Sequence, residues 1–154
     1  MKTLIKVWFL LMLAGVFTAG CVYVAFQQSQ RDNANVPAAM AAEQAVYELK
    51  SGKTPGAALP DGTDMASTIT PFVMIYDNGK NLVASSAADA KYQYPASCLD
   101  EIDKSGENRV TWQPREGLRF ATVGIKYDGG YVIGAYSLRE SESAMDRFSL
   151  VLFL

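Results

Sequence analysis

Histidine is absent from this chain of 154 residues. That removes Ser-His and Cys-His nucleophiles and histidine-ligated zinc or haem. The two cysteines offer little in their place: Cys21 lies inside an apolar run and Cys98 in the middle of the polar part. A bridge between them would have to reach into a membrane, and their spacing matches no metal site. The Asp-Gly segments "DGTD" (Asp61–Asp64) and "DNGKN" (Asp77–Asn81) lack the spacing of a calcium loop and read as turns. Ser85-Ser86 could bind an anion through its hydroxyls or could simply close a strand. No paired carboxylate geometry suggests acid–base work. The chain therefore reads as a non-enzyme that calls for no cofactor. Its net charge of −2, with no basic patch, gives nucleic acid no footing.

Whatever chemistry remains is positioned relative to a bilayer. Lys2 and Lys6 precede the uncharged run Val7–Phe26, 20 residues long, which is enough to cross a hydrocarbon core. The flanking lysines place the N-terminus in the cytoplasm and the rest of the chain outside. Three readings of the run stay open: an uncleaved anchor, a lipoprotein signal ending in "TAGC" (Thr18–Cys21), and a cleaved signal peptide. Length favours the anchor, because signal-peptide cores are shorter. The segments that follow are a cytoplasmic N-terminus 1–6, an anchor 7–26, a linker and long helix 27–52, and a folded domain 53–145. The segment 146–154 is either a C-terminal helix or the start of a second membrane helix.

Residues 27–52 favour helix, with Val36, Met40, Tyr47 and Leu49 as a loose apolar stripe. Pro37 either starts this helix or kinks a longer one leaving the membrane, and Gly52 stops it. Residues 53–70 read as loop. Asn78-Gly79 between two apolar runs predicts a hairpin of Phe72–Tyr76 and Leu82–Ser86. Ser97 as N-cap and Gly106 as stop predict a short helix. Strands follow at Arg109–Pro114, Leu118–Tyr127 and Tyr131–Leu138, with turns at Arg115–Gly117 and Asp128–Gly130. The "SLRE" of Ser137–Glu140 matches a capping box, so a helix carrying Met145 and Phe148 on one side should begin there. Five antiparallel strands with helices segregated around them make an α+β domain.

A two-residue turn after Tyr127 puts Ala121, Val123, Ile125 and Tyr127 on one sheet face with Val132, Gly134, Tyr136 and Leu138. The other face carries Phe120, Thr122, Gly124, Ile133, Ala135 and Ser137. Neither looks solvated, so both should be covered: one by the long helix, the other by the segment 87–108, either packed close or with a cavity beneath it.

The stretches "PFVMIYDNGKNLVASS" and "VTWQPREGLRFATVGIKYDGGYVIGAYSLRESE", with the membrane run upstream, resemble the extracytoplasmic PAS-like sensor domains of the Cache type found in small bacterial membrane proteins. The resemblance spans roughly residues 35–145. It implies a five-stranded antiparallel sheet flanked by N- and C-terminal helices, with a ligand between the sheet and the loop joining the second and third strands. Tyr76, Tyr94, Trp112, Arg119 and Tyr136 would supply its contacts. Arg119 could hold a carboxylate bidentately, and Trp112 and Tyr136 could wall an apolar pocket with a polar tip. Each also has a structural reading, as core packing for the aromatics and as a solvated or ion-paired side chain for Arg119.

The implied function is that of a membrane-anchored extracytoplasmic sensor module for signal transduction. It would bind a small molecule or a partner and relay through its terminal helices. Its partners would be the bilayer, a small-molecule ligand, and a membrane protein or a second copy of the chain. The alternative is a structural or assembly accessory domain of the cell envelope without a ligand.

Overall fold

A computed structural model describes residues 2–62, 64–65, 69–88, 92–143 and 147. Helix α1 (Lys2–Lys50) leads, followed by a 3-10 turn at Pro55–Ala58. Then come strands β1 (Phe72–Asp77) and β2 (Leu82–Ser85), helix α2 (Ala96–Ser105), and strands β3 (Glu107–Arg115), β4 (Leu118–Tyr127) and β5 (Gly130–Ser137). The strands form one antiparallel sheet in the order β2-β1-β5-β4-β3. The α+β class and the five strands match the sequence expectation.

Helix α1 is continuous through Pro37 and contains the apolar run, so of the two readings of Pro37 the longer helix holds. An 18-residue window of α1 has mean hydropathy 2.2 and is uncovered by the rest of the chain, so the helix is long and apolar enough to cross a membrane. It stops where expected. Gly52 takes φ 90°, its N–H donates to the Leu49 carbonyl, and the Lys53 N–H donates to the Glu48 carbonyl. These two bonds satisfy carbonyls that the helix end would otherwise leave open.

The expected stripe on α1 is corrected. Val36, Met40 and Tyr47 are 56%, 65% and 66% exposed, and only Leu49 of that set packs inward. The buried line is Ala34, Ala38, Ala42 and Ala45, at spacings of four, four and three residues along one helix face. The cause is close approach. A Cβ on Gly134 of β5 would lie 2.0 Å from the Ala38 carbonyl oxygen and 2.9 Å from the Ala42 nitrogen. At that separation only alanine fits on the helix.

The last hairpin has the expected register. Tyr127 pairs with Gly130 across the two-residue turn Asp128-Gly129, and Val123 pairs with Gly134. Both faces therefore carry the residues read from the sequence. The first hairpin differs in detail. The left-handed residue is Lys80 (φ 63°), one place after Gly79. The turn is tied by Asp77, whose carboxylate accepts the Asn81 N–H at 2.8 Å. Pro114 is tolerated in β3 because β3 is an edge strand, where a missing donor goes unnoticed.

Ser97 does not cap α2. Pro95 stands at that position with no side-chain bond, and Ser97 falls in the first turn. Gly106 does end the helix, in the left-handed region, donating to the Ile102 carbonyl at 2.8 Å. After β5, residues 139–143 are helical. The Ser137 hydroxyl accepts the Arg139 N–H at 3.4 Å, as a capping residue would. Met145, Phe148 and, apart from residue 147, the segment 146–154 with its two readings lie outside the described residues.

Candidate functional site: the strapped face of the sheet

Strand alternation sends Phe72, Met74 and Tyr76 of β1 to the face away from α1, and Val73 and Ile75 to the α1 side. The far face is completed by Tyr131, Ile133 and Ala135 of β5, Phe120 and Thr122 of β4, and Trp112 of β3. Across it runs a strap made of Tyr92, Tyr94 and α2, which packs Leu99 and Ile102 inward. Gly124 makes room for α2: a Cβ there would sit 2.3 Å from the Ile102 Cδ1 atom.

The aromatic rings form a connected chain. Phe72 meets Phe120 edge-on at 5.1 Å between centroids, Phe120 lies 5.9 Å from Trp112, and Trp112 meets Tyr94 edge-on at 5.7 Å. Such contacts add to burial through ring-edge electrostatics. Polar tips are threaded through this apolar layer. The Tyr76 hydroxyl accepts the Tyr94 N–H at 2.9 Å. The Thr122 hydroxyl donates to the Val110 carbonyl at 2.9 Å. That bond uses its one proton, so Tyr94, whose hydroxyl lies 3.0 Å away, is the donor to Thr122. Burial pushes the Tyr76 and Tyr94 phenols up, Tyr94 well beyond the ordinary range, so both stay protonated at neutral pH. Among the described residues every buried side-chain nitrogen and oxygen has a partner.

The five residues singled out in the sequence divide between the faces. Tyr76, Tyr94 and Trp112 meet on the strapped face, each nearly or fully buried. Arg119 and Tyr136 point to the opposite face. Phe120 pairs with Trp112, so its neighbour Arg119 must face the other way. Arg119 is half exposed and donates to the Glu142 carboxylate at 2.8 Å. Tyr136 packs with Ala34, Ala121 and Leu138 beside α1. It lines a cleft of about 330 Å³ with Gln30, Asn33, Pro37 and Glu140. Ser85 and Ser86 bond backbone. The Ser86 hydroxyl accepts the Val73 N–H at 2.9 Å, and the Ser85 hydroxyl accepts the Ala87 N–H at 3.1 Å.

Sequence reasoning missed the latch that holds the strap. Asp103 of α2 accepts from the Tyr131 hydroxyl at 2.7 Å and from Lys126, and Lys80 approaches it at 3.5 Å. Lys80 also bonds Asp100. One helix face, carrying Asp100 and Asp103, thus reaches the β1–β2 turn and the ends of β4 and β5. Hydrogen bonds from Lys126 and Tyr131 hold the Asp103 carboxyl well below its ordinary range, at about 2. The three-residue spacing of two aspartates on a short helix was the available signal, but their partners come from three separate strands and turns.

No family model, curated protein or solved structure matches this chain.

Proposed function

We propose that the chain is a membrane-anchored, extracytoplasmic, PAS-like sensor module. Its strapped face receives a small molecule or a partner, and α1 relays the change to the membrane. The observation that carries the reading is the sheet order β2-β1-β5-β4-β3 with residues 92–105, which precede β3, laid across one face and a helix continuous with the apolar run laid on the other. Input and output then share one sheet. A shift of the strap would move Tyr94, Trp112 and Phe120, and β4, which carries Phe120, pairs with β5, whose Gly134 lies against α1. Two packed layers on one stiff element give a small displacement few ways to dissipate. The lysines before the apolar run support the outward orientation of the domain.

The test is thermal denaturation of the full chain in lipid nanodiscs against small carboxylates, amines and amino acids. A ligand that favours the native state raises the midpoint by mass action. The rise should vanish in a Tyr94→Ala variant that still folds. A flat response across the panel contradicts the sensor reading.

One observation favours an assembly role instead: the rings of the strapped face already contact one another and their polar tips are already bonded. On that reading the face is a rigid core, and function lies on the outer surface.

A further inference from the structure

The cleft beside Tyr136, about 330 Å³, opens between α1 and the helical turn that follows β5. Gln30, Asn33 and Pro37 line it from α1, and Tyr136, Glu140 and Ser141 from the other side. The two glutamates of that turn are in different situations. Glu142 is neutralised by Arg119 at 2.8 Å. Glu140 has no cationic partner among the described residues, and no lysine or arginine lines the cleft. Among the described residues the side chains of Gln30, Asn33, Tyr136 and Ser141 also make no hydrogen bond. The cleft therefore offers amide, hydroxyl and carboxylate oxygens with one uncompensated negative charge. An anion would meet Glu140 unopposed, so the charge selects a cation.

We propose that this cleft binds a primary ammonium group. A metal ion fits it poorly, because one carboxylate in so wide a space does not assemble the oxygen shell that calcium or magnesium needs. A quaternary ammonium calls for a cage of aromatic rings, and Tyr136 is the one ring lining the cleft among the described residues. A primary ammonium instead brings three N–H donors to a set of oxygen acceptors. Two sources carry that group: the aminoethyl phosphate headgroup of a neighbouring lipid, and a free short-chain amine. Helix α1 runs unbroken out of the apolar segment. At about 1.5 Å per residue, Gln30 stands roughly 6 Å and Pro37 roughly 16 Å beyond Phe26. The cleft thus begins at the depth of the headgroups. Lipids surround the helix at high local concentration there, so a modest contact suffices. The lipid source rests on the apolar run crossing the membrane; the ammonium chemistry does not. An occupant bonded to both sides ties α1 to the segment after β5, next to the packing of Tyr136 with Ala34, Ala121 and Leu138.

The test uses the full chain in nanodiscs of phosphatidylcholine, whose headgroup has the same net charge as phosphatidylethanolamine but no N–H donor. Ethanolamine should bind saturably in a calorimetric titration. Glu140→Gln should weaken it roughly tenfold, the worth of one charge-assisted hydrogen bond. Glu140 is exposed, so the fold is spared. Glu142→Gln, whose carboxylate already has Arg119, should leave binding unchanged. Choline, which lacks the N–H donors, should bind far more weakly. Nanodiscs containing phosphatidylethanolamine separate the two sources. If lipid supplies the group, the melting midpoint rises there in the natural chain and not in Glu140→Gln, and added ethanolamine no longer binds. If the occupant is a free amine, ethanolamine binds equally in both lipids. No saturable binding together with equal midpoints in the two lipids overturns the proposal. So does binding that survives Glu140→Gln or that choline matches. A midpoint shift abolished by Glu140→Gln and kept by Tyr94→Ala belongs to this cleft, and the reverse pattern belongs to the strapped face, so the two readings fail separately.

Discussion

The two faces of the sheet solve the same packing problem in opposite ways. Toward α1 the contact is small and close. Alanines 34, 38, 42 and 45 are buried along one helix face, and the backbone of Ala38 and Ala42 nearly touches Gly134. Toward α2 the contact is large and interlocked, built from Phe72, Phe120, Trp112 and Tyr94 with hydroxyls bonded inside it. The first leaves no room for a side chain between helix and sheet at Gly134. The second encloses hydroxyls whose hydrogen bonds are all made within the layer. A module that takes a signal on one face and passes it out on the other would need that asymmetry.

The comparison can be broken first at the aromatic layer. Phe120→Ala removes the ring that joins Phe72 to Trp112. It should cost about 4 kcal/mol in denaturant unfolding followed by tryptophan fluorescence, the usual range for a buried aromatic. A cost near zero would mean the rings are not mutually packed.

The close face is tested by a pair of glycines. Gly134→Ala places a methyl group against the backbone of Ala38 and Ala42, which cannot move without lifting α1, and should cost about 3 kcal/mol. Gly124→Ala meets only the ends of the Ile102 and Ile133 side chains, which can rotate, and should cost about 1 kcal/mol. Equal costs, or the reverse order, would refute the difference between the faces.

Tyr94→Phe sharpens the picture of the polar tips. It deletes the donor to Thr122 while Thr122 keeps its bond to Val110, so about 1 kcal/mol is expected, with the fold intact. The smallest effect is at the latch. Asp103 titrates at about 2 when folded, against roughly 3.9 when unfolded. Its contribution is therefore complete above the unfolded value and disappears as pH falls through the folded one. Asp103→Asn should flatten the loss of stability between about pH 4 and pH 2 in an acid titration by lowering stability at neutral pH, and only slightly, because solvent screens an exposed ion pair. An unaltered acid limb would exclude the latch.

Much of this architecture was readable in the chain because strand alternation and turn chemistry are local. Asp128-Gly129 alone fixed which residues of β4 and β5 share a face. The buried side of α1 was not readable. Alanine carries little hydrophobic signal, and its fitness here depends on Gly134, nearly a hundred residues away. Trp112 and Arg119 looked like neighbours in a site because the β3–β4 register could not be set across the irregularity between Trp112 and Arg115. The Asp103 latch stayed hidden because its partners converge only in three dimensions.

The proposed relay from the sheet along α1 requires an unbroken helix between residues 27 and 37. Hydrogen exchange of the full chain in nanodiscs measures this directly. Amides of 27–36 should be protected to the same degree as those of 38–46, with only the proline itself silent. Exchange of 27–36 at the rate of an open chain would contradict the account, because a hinge there would uncouple the domain from its anchor.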